Sequence, residues 1–419
     1  MKPQCGLLSA ILPSLLSMAL VGVTACGGGS SSSTGTGGSG GGSTGGTPAN
    51  ATKYVALYDT NCRVMIFDAP LSSDMNASVE LGEADFTHSC NNTGLTGQNQ
   101  IGSNFGGGVT FDSAGNLYVA DTADNRVLQF VPPFTNAMDA SMVLGQGNFT
   151  TFNISTSANG LIYPTGVALD ASGDLWVADS GNGRVLEYKP PFSTGMAASI
   201  AIGATNTAAA GPTCSGASFG ATSSTFCSPF ELAFDSSGNL WVADSGYCRV
   251  LEFTPPFFTG MAATLELGHA AGATAFTATR LNDGGSVAAS VLNNPAGIQF
   301  DAHGNLWVSD SSNNRILEFT SPFTSGMPAS LVLGQSGFTQ ASSTPISQNS
   351  LDAPVGVAFD LGGNLLVTDQ GNNRLLVFAP PFSSGMSATT VLGNGSFTSA
   401  GSGAASQSTF SLPLGVAAF

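Results

Sequence analysis

From Gly166 to Gly203 the chain reads GVALDASGDLWVADSGNGRVLEYKPPFSTGMAASIAIG. Within it, GVALD, DLWVAD, RVLEY and ASIAI are short apolar or alternating runs rich in Val, Leu, Ile and aromatics, separated by turn residues, and they predict four strands. Asp170 opens the first turn and Gly173 sits where a type I turn feeds a left-handed residue, as in a short hairpin. The run Asp179-Ser-Gly-Asn-Gly-Arg184 supplies an Asx turn, and Pro190-Pro191-Phe192 stops the third strand because proline cannot donate to a ladder. The unit is a four-stranded antiparallel meander.

The same 38-residue pattern begins again at Gly108, Glu231, Gly297 and Gly356, with no residue gained or lost before its closing glycine. One such sheet cannot bury both apolar faces alone, so tandem copies pack face to face, as in a propeller. A sixth unit is split. YVALYDTNCRVMIF from Tyr54 and ASVELG supply its last three strands, and PLGVAAF, Pro413 to Phe419, matches the missing first strand. The expected fold is therefore all-β: a six-bladed β-propeller of four-stranded antiparallel blades, closed by the C-terminal strand completing the first blade.

The GVAFDxxGNLWVADxxNNRV pattern resembles the NHL repeat, and the resemblance runs from Tyr54 to Phe419. It implies the same six-bladed fold. It does not choose a function, since similar propellers include lyases, lactonase-like enzymes, RNA binders and extracellular sensors.

Ahead of the repeats, Lys2, an apolar run from Gly6 to Ala25 and Val23-Thr24-Ala25-Cys26 resemble a lipoprotein signal peptide ending in a lipobox. Gly27 to Thr47 is almost entirely Gly, Ser and Thr, a flexible coil with a reach of about 25 Å. The expected organisation is a signal peptide over 1–25, a lipidated Cys26 with its tether over 26–50, and the propeller over 51–419. That makes the protein exported, with a head anchored to the membrane of the cell envelope (the outer membrane if the source is a diderm) or extracellular.

Charge changes the picture by exclusion. The net charge is −16, and six of the ten basic residues (Arg63, Arg126, Arg184, Arg249, Arg315, Arg374) occupy one repeated position, leaving no phosphate-binding patch for nucleic acid. Five cysteines remain in the mature head, and export permits disulfides. Cys62 and Cys90, in the second turn of blade one and the connector leaving it, are the expected pair. Cys214 and Cys227 close the shortest remaining loop, but either could instead reach Cys248.

The repeated pairs of Asp59, Asp121, Asp179, Asp244, Asp310 and Asp369 with the following Arg suit turn capping and blade-to-blade hydrogen bonding. Six equivalent pairs lack the asymmetry that catalysis needs. Trp176, Trp241, Trp307 and Tyr118 share one core position. Breaks in the repeat say more. Glu231 stands where the other units have glycine, at the start of an innermost strand, and is expected to open onto the face carrying the inter-blade connectors. His88 and His269 lie in two of those connectors, and with Glu231 they form the candidate ligand site. No cofactor and no catalytic residue is assigned, with calcium and zinc left open. The expected role is a monomeric binding or sensing head for an envelope glycan, peptide or protein. A lyase or lactonase-like enzyme is the alternative, and metal content would discriminate them.

Overall fold

A computed structural model describes residues 53–419 apart from short stretches at 91–96, 103–106, 212–219, 271, 273–275, 394 and 402–403. Six four-stranded antiparallel sheets form six blades. Blade one is completed by Val416–Ala418, which pairs antiparallel with Tyr54–Asp59 through Val55, Ala56 and Leu57. The ring thus closes inside one sheet, with the expected strand in the expected place. The innermost strands of blades two to six are Val109–Phe111, Pro164–Leu169, Pro229–Phe234, Pro295–Phe300 and Pro354–Phe359.

Blades are cemented by apolar side chains that alternate across each sheet and meet those of the next sheet. Trp176, Trp241 and Trp307 are fully buried, and each indole lies edge-on to two phenylalanines of the following blade. For Trp241 these are Phe300 and Phe323, with ring centroids 5.7 and 4.8 Å away. Hydroxyls add ties between blades: Thr122 donates to the Pro164 carbonyl at 2.6 Å and Ser311 to that of Pro354 at 2.5 Å.

The repeated Asp–Arg pairs are structural, and they do more than cap a turn. All six arginines are fully buried. In blade five, Arg315 Nε meets Asp310 at 2.7 Å, its Nη1 donates to Phe338 O in the outgoing connector, and its Nη2 donates to Ala288 O and Val291 O in the incoming one. Asp310 also accepts the N–H of Asn293 from the incoming connector at 2.6 Å. The other blades repeat the clamp: Arg374 holds Phe397 O on one side and Ser347 O and Ser350 O on the other. Each connector is therefore anchored at both ends by a buried charge pair whose lone pairs and protons are filled by backbone.

Two faces result. One carries the connectors. The other carries the hairpins between first and second strands, whose Asp112, Asp170, Asp235, Asp301 and Asp360 accept the amide four residues on, the first four also the amide two residues on, as in Asp170 with Ser172 and Asp174.

Candidate axial binding site

The four innermost strands that begin with proline each shift register between that proline and the residue three positions later. Such a bulge re-aims side chains. Phe230, Ala296 and Val355, from these bulged strands, and Leu414, just before the closing strand, are buried in one apolar cluster. Thr165, also buried, donates to the carbonyls of Pro229 and Phe230. These side chains plug the axis on the connector side.

Next along the axis comes a ring of backbone. A Cβ on Gly108 would strike the Thr165 carbonyl, on Gly166 that of Phe230, on Gly297 that of Val355, on Gly356 that of Leu414 and on Gly415 that of Gly107. Glycine is needed there because neighbouring innermost strands approach within backbone contact. The sixth member of the ring is Glu231.

Beyond the ring lies a cavity of about 280 Å³, lined by the later residues of the innermost strands and running toward the hairpin face. Its walls carry Phe111, Phe234 and Phe359, with Thr110 and Gln299 facing in where other blades place Ala168, Ala233, Ala358 and Ala417. Glu231 is its one ionisable lining residue. The carboxylate accepts the N–H of Leu232 at 3.2 Å and that of Val167. Burial pushes its pKa up to about 8, against the lowering effect of those two amides, so the carboxyl is largely protonated at neutral pH.

The sequence placed Glu231 at the channel, and so does the structure, but it opens the other way. The cavity that Glu231 lines is built from the later residues of the innermost strands, on the hairpin side of the glycine ring, whereas the sequence reading expected a mouth under the connectors. The plug follows from the bulge, which periodicity alone does not reveal. Nor do the two histidines join it. His88 is exposed in its connector, its Nδ1 2.7 Å from Asp85, which raises its pKa; hydrogen bonds from Thr87 and His88 hold Asp85 down to about 2. His269 is buried, its Nδ1 2.7 Å from Glu266, whose other oxygen accepts the N–H of Phe276. It is a connector residue folded in against Glu266 of the fourth strand, a burial that the repeat pattern does not reveal because the connectors lie outside it. Thr110 and Gln299 were missed, although both stand out in the repeat where four units have alanine.

Cys62 and Cys90 form the expected disulfide, with Cα atoms 5.1 Å apart. Cys227 and Cys248 are both disulfide-bonded as well. Cys214 and the proposed lipidation site Cys26 lie outside the described residues. Among the described residues no group of three or more His, Cys, Asp or Glu is placed to hold a metal ion, and no helix is long and apolar enough to cross a membrane.

Comparison with known proteins agrees with this fold. The NHL repeat matches residues 161–188 and 292–319. No curated protein sequence matches the chain. Among solved structures, the chain is similar to one from a nidogen/laminin complex, at 14% identity and a TM-score of 0.50 over 87% of this chain and 97% of that one. It is also similar to a catalytically inactive virginiamycin B lyase from Staphylococcus aureus with quinupristin, at 13% identity and a TM-score of 0.41 over 80% and 84%. A gluconolactonase from Xanthomonas campestris matches at 16% identity and a TM-score of 0.39 over 67% and 73%. Identities this low speak for the fold alone. The chain carries NHL repeats in a six-bladed propeller.

Proposed function

We propose that the protein is an exported binding head, tethered to the cell envelope through a lipid on Cys26 and acting as a single copy, that takes its ligand into the axial cavity from the hairpin face. The observation that carries this reading is the cavity itself: plugged at one end, open at the other, and lined by strand-edge backbone with a single ionisable side chain. Such a lining suits recognition, since acid–base catalysis asks for groups in different roles converging on one bond. At about 280 Å³ the cavity accommodates one inserted side chain or a small group rather than a polymer segment, so a peptide or glycan ligand would insert a single projection. The Cys62–Cys90 disulfide fits an oxidising compartment.

The test is a screen of the purified head against envelope peptide and glycan pools, repeated with Ala417→Phe, which fills the cavity from a partly exposed wall position. Ligands that bind the parent should lose at least tenfold in affinity in the variant, its folding checked by a thermal melt because Ala417 also packs against the core. Ligands that bind the filled variant unchanged would place the site elsewhere. One observation favours a catalytic reading as the alternative: a carboxyl protonated near neutrality is poised to act as a general acid. A lyase or lactone-hydrolase activity abolished by Glu231→Gln, with binding retained, would establish it.

A further inference from the structure

The closed end of the cavity has a definite chemistry, and an inference about its ligand follows, resting on the reading of that cavity as the binding site. In an antiparallel ladder successive residues turn their backbone groups alternately to either side. On the innermost strands, Gly108 O accepts from Ala120 and Asp112 N donates to Asn116 O, so the even-numbered positions of that strand face inward to the blade. The positions between them face the axis. By the same register, the N–H and C=O groups of Val109, Val167, Leu232, Ile298, Val357 and Val416 point at the axis, next to the glycine ring. Two of those N–H groups, from Leu232 and Val167, are taken by Glu231. That contact fixes the carboxylate against the ring and leaves its remaining lone pairs, with the carbonyls around it, as acceptors facing the cavity.

The rim is mostly of the same sign, its cations being Lys53, over the Phe419 ring, and Lys189, paired with Asp174 and Glu187. Five hairpin aspartates surround the mouth, each carboxylate fixed by its own turn, and Asp301 and Asp235 have Glu318 and Glu252 bound to the same asparagines, Asn305 and Asn239. A cavity whose one ionisable group is a carboxyl, with strand carbonyls beside it, draws in a cation behind a mostly negative rim and supplies hydrogen bonds that replace its water.

We propose that the cavity takes a primary ammonium group carried on a slim, unbranched chain: a lysine side chain presented by a peptide, or a free alkylamine. Three N–H donors meet the Glu231 carboxylate and axis-facing carbonyls, while the methylenes lie along Ala168, Ala233, Ala358 and Ala417 and between the phenylalanines of the mouth. Binding transfers one proton from the Glu231 carboxyl to solvent, leaving a carboxylate paired with the ammonium, and no other bond changes. Affinity should therefore rise about tenfold per pH unit from pH 6 toward the carboxyl's pKa, since only the ionised fraction of Glu231 is competent.

Isothermal titration calorimetry on the intact head tests this with n-butylamine, an acetyl-lysine-amide peptide and, as the neutral isostere, the same peptide with norleucine. The proteins are the parent, Glu231→Gln, Glu231→Gly and Ala417→Phe. Glu231→Gly restores the residue of the other five units, so a folded control exists even if the glutamine variant is unstable. The expected result is binding of the amines with proton release, at least tenfold weaker in both Glu231 variants and in Ala417→Phe, and no binding of the norleucine peptide. Butylamine binding without the peptide points to a free amine, and the reverse to a peptide. Equal binding of lysine and norleucine peptides, amine binding that survives both Glu231 variants, or failure of every amine overturns the proposal. If other ligands still bind the parent and are lost in Ala417→Phe, the cavity stands as the site and only the ammonium assignment falls. Amines bound equally by parent and Ala417→Phe would overturn both.

Discussion

A carboxyl held half-protonated near pH 8 in the folded protein and near 4.5 in the unfolded chain makes stability depend on pH. Between those values the folded state keeps a proton that the unfolded state has lost, so the contribution of Glu231 is fully present below about pH 4.5 and drains away as pH rises through about 8. Glu231 is only partly shielded from water, so the loss is at most a few kcal/mol. Replacing it by Gln removes this term and leaves every other titration in place, including that of Glu80, which burial raises to about 7 despite Arg63. The gap in thermal midpoint between Glu231→Gln and parent should be small at pH 5 and widen in the variant's favour by a few degrees at pH 8.5. A gap that stays flat over that range would mean the carboxyl titrates normally. At this scale the repeat made Glu231 conspicuous, because it is the one non-glycine in an aligned column. Its direction was not legible: one bulge between Pro229 and Leu232 decides which way the strand edge looks. His269 shows the same limit, since its burial depends on Glu266 and the folding-in of a variable connector.

At the scale of the element, the closing strand is short but placed where three contacts depend on it. Val416–Ala418 pairs with Tyr54–Asp59, Phe419 exchanges backbone hydrogen bonds with Tyr54, and Leu414 belongs to the axial plug. Removing residues 413–419 would expose the edge of Tyr54–Asp59, take the blade-two innermost strand's neighbour away and unplug the axis. Soluble yield and thermal midpoint should collapse; a truncated protein that melts like the parent would show that the ring does not depend on this closure. Elements of this kind were legible because turn chemistry marks them: Asp170 and Gly173 flank a hairpin in the structure as in the sequence. What the pattern left out is how strand ends are tied together. Arg315 and its five counterparts each reach two connectors at once, a role that depends on contacts distant in sequence, 23 to 27 residues for Arg315 and 346 for Arg63 with Thr409, and so leaves no local signature.

For the whole molecule, orientation follows from topology. Tyr54–Asp59 is the second strand of its blade, so the chain enters the propeller at residue 53 on the hairpin face, the face onto which the axial cavity opens. If the proposed tether through residues 26–50 holds, attachment and mouth lie on one side, with the clamped connectors on the other. This arrangement matters only if Cys26 carries a lipid. Cells expressing the full chain and given a fatty-acid probe should label the parent and not Cys26→Ala, and the variant should move from the membrane fraction to the soluble one. Equal labelling of both, or a parent found wholly in the soluble fraction, would remove the tether from the account. The cavity and its mouth would then have to be read as those of a freely diffusing protein, with no constraint on which way they face.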